Sequence, residues 1–267
     1  MRVVVKDHGR VRAIGTDRAP MRGAVDPATA QELFDAFLAF DQDETVDVAV
    51  FHGSQGAFCA GFDLKTAADG SANAWISQVD IPQDWTDAQA QPIPGPMGPS
   101  RLLLTKPVIA AIEGHAVAGG MELAAWCDLR IMAETAVTGV FCRRWGVPLI
   151  DGGTIRLPAI LGQGRANDAI LSGRPIDAAE ALGIGFANRV VPAGQTRAAA
   201  LDYAQNLTRF PQGCMLADHS SARMSGPMLA QALRREWESS TMYFAEGQSG
   251  AARFATGKGR GGDFSVI

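Results

Sequence analysis

The chain has 267 residues, 47% of them hydrophobic, and a formal net charge of −4. That length allows one large domain or a domain with an appendage, and the apolar content excludes disorder as the general state. The acidic balance lacks the basic footprint of a nucleic-acid binder, and no stretch is apolar for long enough to cross a bilayer as a helix.

The amino-terminal stretch "MRVVVKDHGRVRAIG" is interrupted by charges and has no signal-peptide run, so a soluble, cytoplasmic protein is expected. "DPATAQELFDAFLAF" predicts a helix with Asp26 as N-cap and Pro27 at the first helical position. "VDVAVFHG", "KPVIAAIEG", "DLRIMAE" and "NRVVP" read as short buried strands. Asp177 and Glu180 have capping-box spacing ahead of a short helix. Strands alternating with helices predict an α/β layer arrangement. From about Gly194 onward every segment is helical in pattern, so the expected division is a mixed core over residues 1–193 and a helical carboxy-terminal region over residues 194–267. Residues 66–100 carry Pro82, Pro92, Pro94, Pro96 and Pro99. An irregular connection of that length is read as a mobile lid, with a tolerated surface insertion as the alternative. Cys59, Cys127, Cys142 and Cys214 lack metal-site or disulfide spacing and are expected as free thiols in a reducing compartment.

In "AVAGGMELAAWCD" a strand passes through small residues into a helix whose first turn holds Glu122. The first amides of a helix lack intrahelical partners, and Gly119 and Gly120 let a ligand approach the main chain. Glu122 then either complements the helix dipole or works in a cavity that the glycines line; on these residues alone both readings stand. "VAVFHGSQGAFCAGFDLK" runs in the same way from a strand into a helix start. Two such turns can present converging N–H groups to developing negative charge.

"GAFCAGFDL" followed by "KPVIAAIEGHAVAGGMELAAWCDLRI" closely resembles the enoyl-CoA hydratase/isomerase (crotonase) family. The likeness continues through "GVPLIDGGTIRLPAILG", "LSGRPIDAAEALGIGFANRVVP" and the upstream "RAPMRGAVDPATA", and so covers most of the chain. The resemblance implies an α/β fold, a spiral of ββα units with a helical carboxy-terminal trimerisation region. It implies an acyl-CoA thioester as substrate, a homotrimer or hexamer, no nucleic-acid or membrane partner, and neither a metal nor any cofactor beyond the coenzyme A of the substrate. Its oxyanion-hole amides match Cys59 and Gly119, and its acid/base glutamate matches Glu122. The family's ligand-contacting segments carry over to Arg22, Gly23 and Val25, with glycine at 23 where the family often has asparagine. Around the first turn they carry over to Ala57, Ala60, Gly61, Phe62, Asp63 and Leu64. Around the second they carry over to His115, Ala118 and Gly120.

The family's second glutamate lies downstream. Counting back without gaps from "GGTIRLP", its position here is Cys142. A lost acid–base group costs about 10²–10⁴ in rate, so the expectation becomes a hydratase-type lyase resting on Glu122. Asp151 is either a substitute catalytic carboxylate or a helix cap. Double-bond isomerisation by one carboxylate and non-catalytic acyl-CoA binding are the alternatives.

Overall fold

The charged amino-terminal stretch pairs with itself as a hairpin. In the computed structural model, which describes residues 2–54 and 56–258, β1 (Val3–His8) and β2 (Val11–Thr16) are antiparallel. The sequence reading missed this pair because β1 is an edge strand whose middle faces solvent, where charges are tolerated and discourage further pairing.

Helix α1 (Pro27–Gln42) follows, and Asp26 caps it by accepting the Thr29 amide at 2.9 Å. β3 (Val48–His52) and the short helices α2 (Leu64–Ala68) and α3 (Asn73–Gln78) precede β4 (Val108–Ile112), β5 (His115–Val117) and α4 (Gly119–Trp126). Then come β6 (Leu129–Ala133), β7 (Val137–Gly139), α5 (Gly153–Leu161), α6 (Gln163–Ser172), β8 (Ile176–Asp177), α7 (Ala178–Gly183) and β9 (Arg189–Val191). Helices α8 (Thr196–Leu207), α9 (Gln212–Ser221), α10 (Gly226–Ser240) and α11 (Phe244–Ala255) complete the described chain.

The large sheet has the order β1-β2-β3-β4-β6-β9, parallel from β2 onward; the small one has the order β5-β7-β8. Parallel strands covered on both faces read as unbroken apolar runs. Val48 and Val50 pack under Ala200 and Ala204 of α8, whereas Ala49 and Phe51 face the main core, where Phe37 of α1 meets Phe51 edge-on at 5.2 Å. Helix α8, which the sequence groups with the carboxy-terminal helices, thus covers the outer face of the large sheet.

Each turn of the chain sets a strand in the large sheet, a shorter stretch beside it, and then a helix. β4–β5–α4 is one such turn, and β3, the Cys59–Ala116 bridge and α2 form the one before it. This is the ββα spiral expected from the resemblance. The two- and three-residue strands of the small sheet were not legible in the sequence, being too short to show a period.

Residues 66–100 are packed in place. Trp75, Val79, Ile81, Trp85, Ala88 and Met97 are buried in the core, and the two indoles donate to the carbonyls of Pro96 and Gln91. Helix α11 folds back on its own chain: it packs against α2, and Phe254 meets Trp145 edge-on at 5.3 Å.

Candidate active site

The two glycine-containing turns adjoin. The amides of Phe58 and Cys59 both donate to the His115 carbonyl, at 3.0 and 2.9 Å, and the Val117 amide returns a bond to the Cys59 carbonyl at 3.0 Å. These bonds lace the first turn to β5. At Ala118 the backbone has φ 54° and ψ −128°, outside the regions that L-residues favour. That conformation swings the chain from β5 into α4 and makes Gly119 the first helical residue. A Cβ on Gly120 would sit 2.9 Å from that of Cys59, and one on Gly61 would sit 3.2 Å from the Gly119 amide, so both positions need glycine for close approach.

Glu122 is 3% exposed on the first turn of α4. Its Oε1 accepts the amides of Asp151 and Gly153, each at 3.0 Å. Asp151 and Gly153 stand at the start of α5, whose N-cap, Gly152, has no side chain to satisfy the orphan donors there. Glu236, reaching in from α10, accepts the other two amides of the same run, from Gly152 at 2.6 Å and Thr154 at 2.8 Å, together with the Thr154 hydroxyl. Burial raises the proton affinity of Glu122 well above that of an ordinary glutamate, and the charges of Asp151 and Glu236 raise it further against the two amide bonds.

Asp151 is also buried, at 3% exposure. It does not cap α5: its Oδ1 accepts the Met97 amide at 2.9 Å and the Ser100 hydroxyl, fastening the end of the proline-rich segment. This replaces the capping alternative. Burial raises its proton affinity too, against those two bonds and the charges of Arg101 and Arg156. Arg156 donates to the carbonyls of Asp151 and Ser100, while Arg101, 1% exposed, stacks 4.6 Å from the Trp237 ring centroid.

Met97, fastened through its amide, lays its thioether against Gly119. Of the two expected oxyanion donors, the Cys59 amide is therefore engaged by His115 and Gly119 is covered by a side chain. Cys142 lies buried in a 3-10 turn (Phe141–Trp145), its thiol pushed up to about 12 by burial and then by the charge of Glu122. Cys59, similarly buried, is pushed to about 12. Neither thiol is a thiolate near neutrality.

The other residues carried over from the resemblance lie along the first glycine turn and its partners. Arg22 is exposed with φ 51°, its carbonyl accepting the Ala60 amide at 3.1 Å. His115 is half-buried and held neutral by burial and by the nearby Arg22 charge. Gly23 has φ 69° and packs against the Phe58 carbonyl; Val25 bridges Phe62. Ala57 is buried and Leu64 half-buried. Asp63 accepts the Lys65 amide at 3.1 Å and pairs with Arg18 at 3.0 Å, so its carboxylate is committed to structure. Arg143 and Arg144, beside Cys142, donate to the carbonyls of Ile170 and Gly173.

Met97, Ser100, Arg101, Arg156 and Glu236 were missed in the sequence. For Glu236 a signal exists: Leu229, Leu233, Trp237 and Ser240 mark the buried stripe of α10, and Glu236 falls on it. The others sit in irregular chain or act at long range, where no periodicity points. Two surface clefts lie elsewhere, one of about 400 Å³ beside Leu103 and Arg223, the other of about 270 Å³ beside Arg189 and Tyr203.

Against known proteins, the enoyl-CoA hydratase/isomerase family model matches residues 8–258. An enoyl-CoA hydratase of Mycobacterium tuberculosis is 32% identical over 239 residues, 87% of this chain and 78% of that protein. The carnitinyl-CoA dehydratase of Citrobacter koseri is 36% identical over 202 residues, covering 75% and 72% respectively. Among solved structures, a carnitinyl-CoA hydratase from Mycobacterium avium superposes with a TM-score of 0.78 at 29% identity, covering 96% of this chain and 95% of that one. An enoyl-CoA hydratase from Mycobacterium smegmatis gives 0.74 at 28% identity, covering 92% and 99%.

Proposed function

Because this chain belongs to the enoyl-CoA hydratase/isomerase family, we propose that it is a hydratase-type lyase that adds water across the Cα–Cβ bond of a 2-enoyl-CoA thioester. The observation that carries this reading is Glu122: a buried carboxyl, pinned through one oxygen by two amides, with its proton affinity raised. A carboxyl tuned in that direction exchanges protons closer to neutrality, as a general acid/base must. Water oxygen bonds to Cβ, its proton passes to a carboxylate, and Cα takes a proton. Negative charge gathers meanwhile on the thioester oxygen.

The amides of Gly119 and Cys59 are the proposed donors to that oxygen. In this reading substrate displaces Met97 from Gly119, and the Cys59 amide turns from the His115 carbonyl to the thioester. Asp151, adjoining Glu122 through its own amide, is the second carboxylate, in place of a glutamate at the position of Cys142. The chemistry draws on side chains and amides alone. Self-association into trimers or pairs of trimers belongs to the same proposal, supported by the exposed Phe210, Met224, Met228 and Met242 of the carboxy-terminal region.

A second reading, isomerisation of a 3-enoyl-CoA with Glu122 shuttling one proton, is favoured by the un-ionised thiol of Cys142. Crotonyl-CoA hydration and 3-enoyl-CoA isomerisation, measured in the wild type and in Glu122→Gln, separate the two. Hydration that falls by about 10²–10⁴ in the variant, with acyl-CoA affinity retained, is the expected result. Full activity in Glu122→Gln removes the proposal, and acyl-CoA binding without either turnover leaves a binding protein.

A further inference from the structure

We propose that Glu236 is a positioning residue for Glu122, the two glutamates holding alternate amides of one helix start so that the carboxy-terminal helix α10 sets the geometry of the acid/base. The inference rests on the reading of Glu122 as acid/base.

Consecutive amides from Asp151 to Thr154 are divided between two side chains. Asp151 and Gly153 donate to Glu122, whereas Gly152 and Thr154 donate to Glu236. Neither carboxylate can shift without disturbing the other's donors, because those donors alternate along four consecutive peptide units. The arrangement is not the ordinary way to cap a helix. A serine or aspartate at the N-cap would do so locally, yet Gly152 stands there, and the acceptor comes from 84 residues away. It comes moreover from the apolar stripe of α10, at 3% exposure between Leu233 and Trp237. A carboxylate in such a stripe is disfavoured unless its hydrogen bonds are made, and here they are made to the same turn that pins Glu122.

The two acids also interact through space. The groups that act on Glu122 include Asp151, Glu236, Arg156 of α5 and the Cys142 thiol of the 3-10 turn; Arg101 acts on Asp151 and Glu236. A charge on Glu236 disfavours a charge on Glu122, so it keeps Glu122 protonated to higher pH. Neutralising Glu236 releases that constraint.

The test uses the full chain with Glu236→Gln and Glu236→Ala. Glutamine keeps the shape and one of the two accepting oxygens, and loses the charge and the other acceptor. The limb of the pH–rate profile assigned to Glu122 should move toward lower pH, with KM unchanged, and the Glu122 carboxyl should titrate at lower pH by carbon-13 NMR. Alanine leaves the amides of Gly152 and Thr154 without their acceptor, and kcat should fall by roughly 10²-fold, as a misplaced catalytic group does. A Glu236 that only holds α10 against α5 would lower thermal stability in both variants while leaving both the kcat of the folded variants and the Glu122 titration where they are in wild type. That unmoved titration overturns the inference. The Glu236→Gln titration decides the matter even where Glu236→Ala does not fold. The titration needs no turnover, so it distinguishes failure here from failure of the reading of Glu122, which is read from Glu122→Gln activity alone.

Discussion

The thioether of Met97 lies over Gly119, close enough that a Cβ on the glycine would stand 2.9 Å from the sulfur. Met97 is fully buried, and its amide is held by Asp151 at 2.9 Å, so the contact is fastened from behind. An unbranched thioether with several rotatable bonds adapts to irregular space, which makes methionine a suitable occupant of the proposed thioester site. Met97→Ala should lower stability by about 2–5 kcal/mol and tighten acyl-CoA binding, since less is displaced. Thermal unfolding and titration calorimetry check both effects; unchanged affinity would mean that Met97 and the ligand occupy different space.

Gly119→Pro tests the amide. Proline is compatible with the first helical position and removes the donor, and Met97→Ala in the same chain removes the clash. The expected loss in kcat is about 10²–10³-fold relative to Met97→Ala alone. A folded double variant that turns over at the rate of Met97→Ala would exclude Gly119 as an oxyanion donor.

The fastening of residues 97–100 by Asp151 and its proposed catalytic role are separable. In Asp151→Asn the amide oxygen still accepts from Met97 and Ser100, whereas in Asp151→Ala nothing does. Hydrogen exchange at residues 95–100 should rise in the alanine variant and stay near wild type in the asparagine variant. Rates reduced by about 10²-fold or more in both, with protection lost in only one, identify a catalytic carboxylate as well as a fastening.

The buried carboxyls set a direction for stability with pH. Glu122, Asp151 and Glu236 all bind protons more tightly in the folded chain than in the unfolded one. Their contribution is therefore complete below their ordinary values and is lost as pH rises through the folded values. Asp26, whose proton affinity is lowered by its bonds to Thr29 and the charges of Arg18 and Arg2 against the opposing effect of burial, acts in the opposite sense and favours the fold above its ordinary value. The melting temperature of Glu236→Gln, measured relative to wild type, should rise steadily as pH increases from the ordinary glutamate value of 4.5 upward. A pH-independent difference would contradict the assignment.

Ala118 is strained at φ 54° and ψ −128°. Glycine relieves about 1–3 kcal/mol of strain and costs about 0.5–1 kcal/mol in chain entropy. Ala118→Gly should therefore unfold at the same temperature or a few degrees higher. A clear drop would mean that the alanine methyl, which also limits how near the Gly61 turn can come, matters more than the strain.

Much of this arrangement was legible before the fold was known. Strands β3, β4, β6 and β9, the Asp26 and Asp177 caps, and the turn into α4 each follow from local rules of periodicity and capping. Glu122 stood out because a carboxylate inside an apolar helix needs a reason. The edge hairpin was hidden by its charges. The packing of residues 66–100 was hidden because buried tryptophans bonded to loop carbonyls leave no period.

The sequence by itself determined the alternation of long strands and helices, carried the family likeness that implied the ββα spiral, and marked Glu122 as a carboxylate out of place in an apolar helix, since helix starts, buried strands and glycine turns depend on neighbours a few residues apart. Only the tertiary structure decided what that carboxylate touches. The partners of Glu122 are amides 29 and 31 residues away, those of Asp151 lie 54 and 51 residues away, and Glu236 reaches back 84 and 82 residues to complete the same helix start. Hydrogen bonds across such separations are set by how layers pack, and packing is a property of the whole chain that no local pattern encodes.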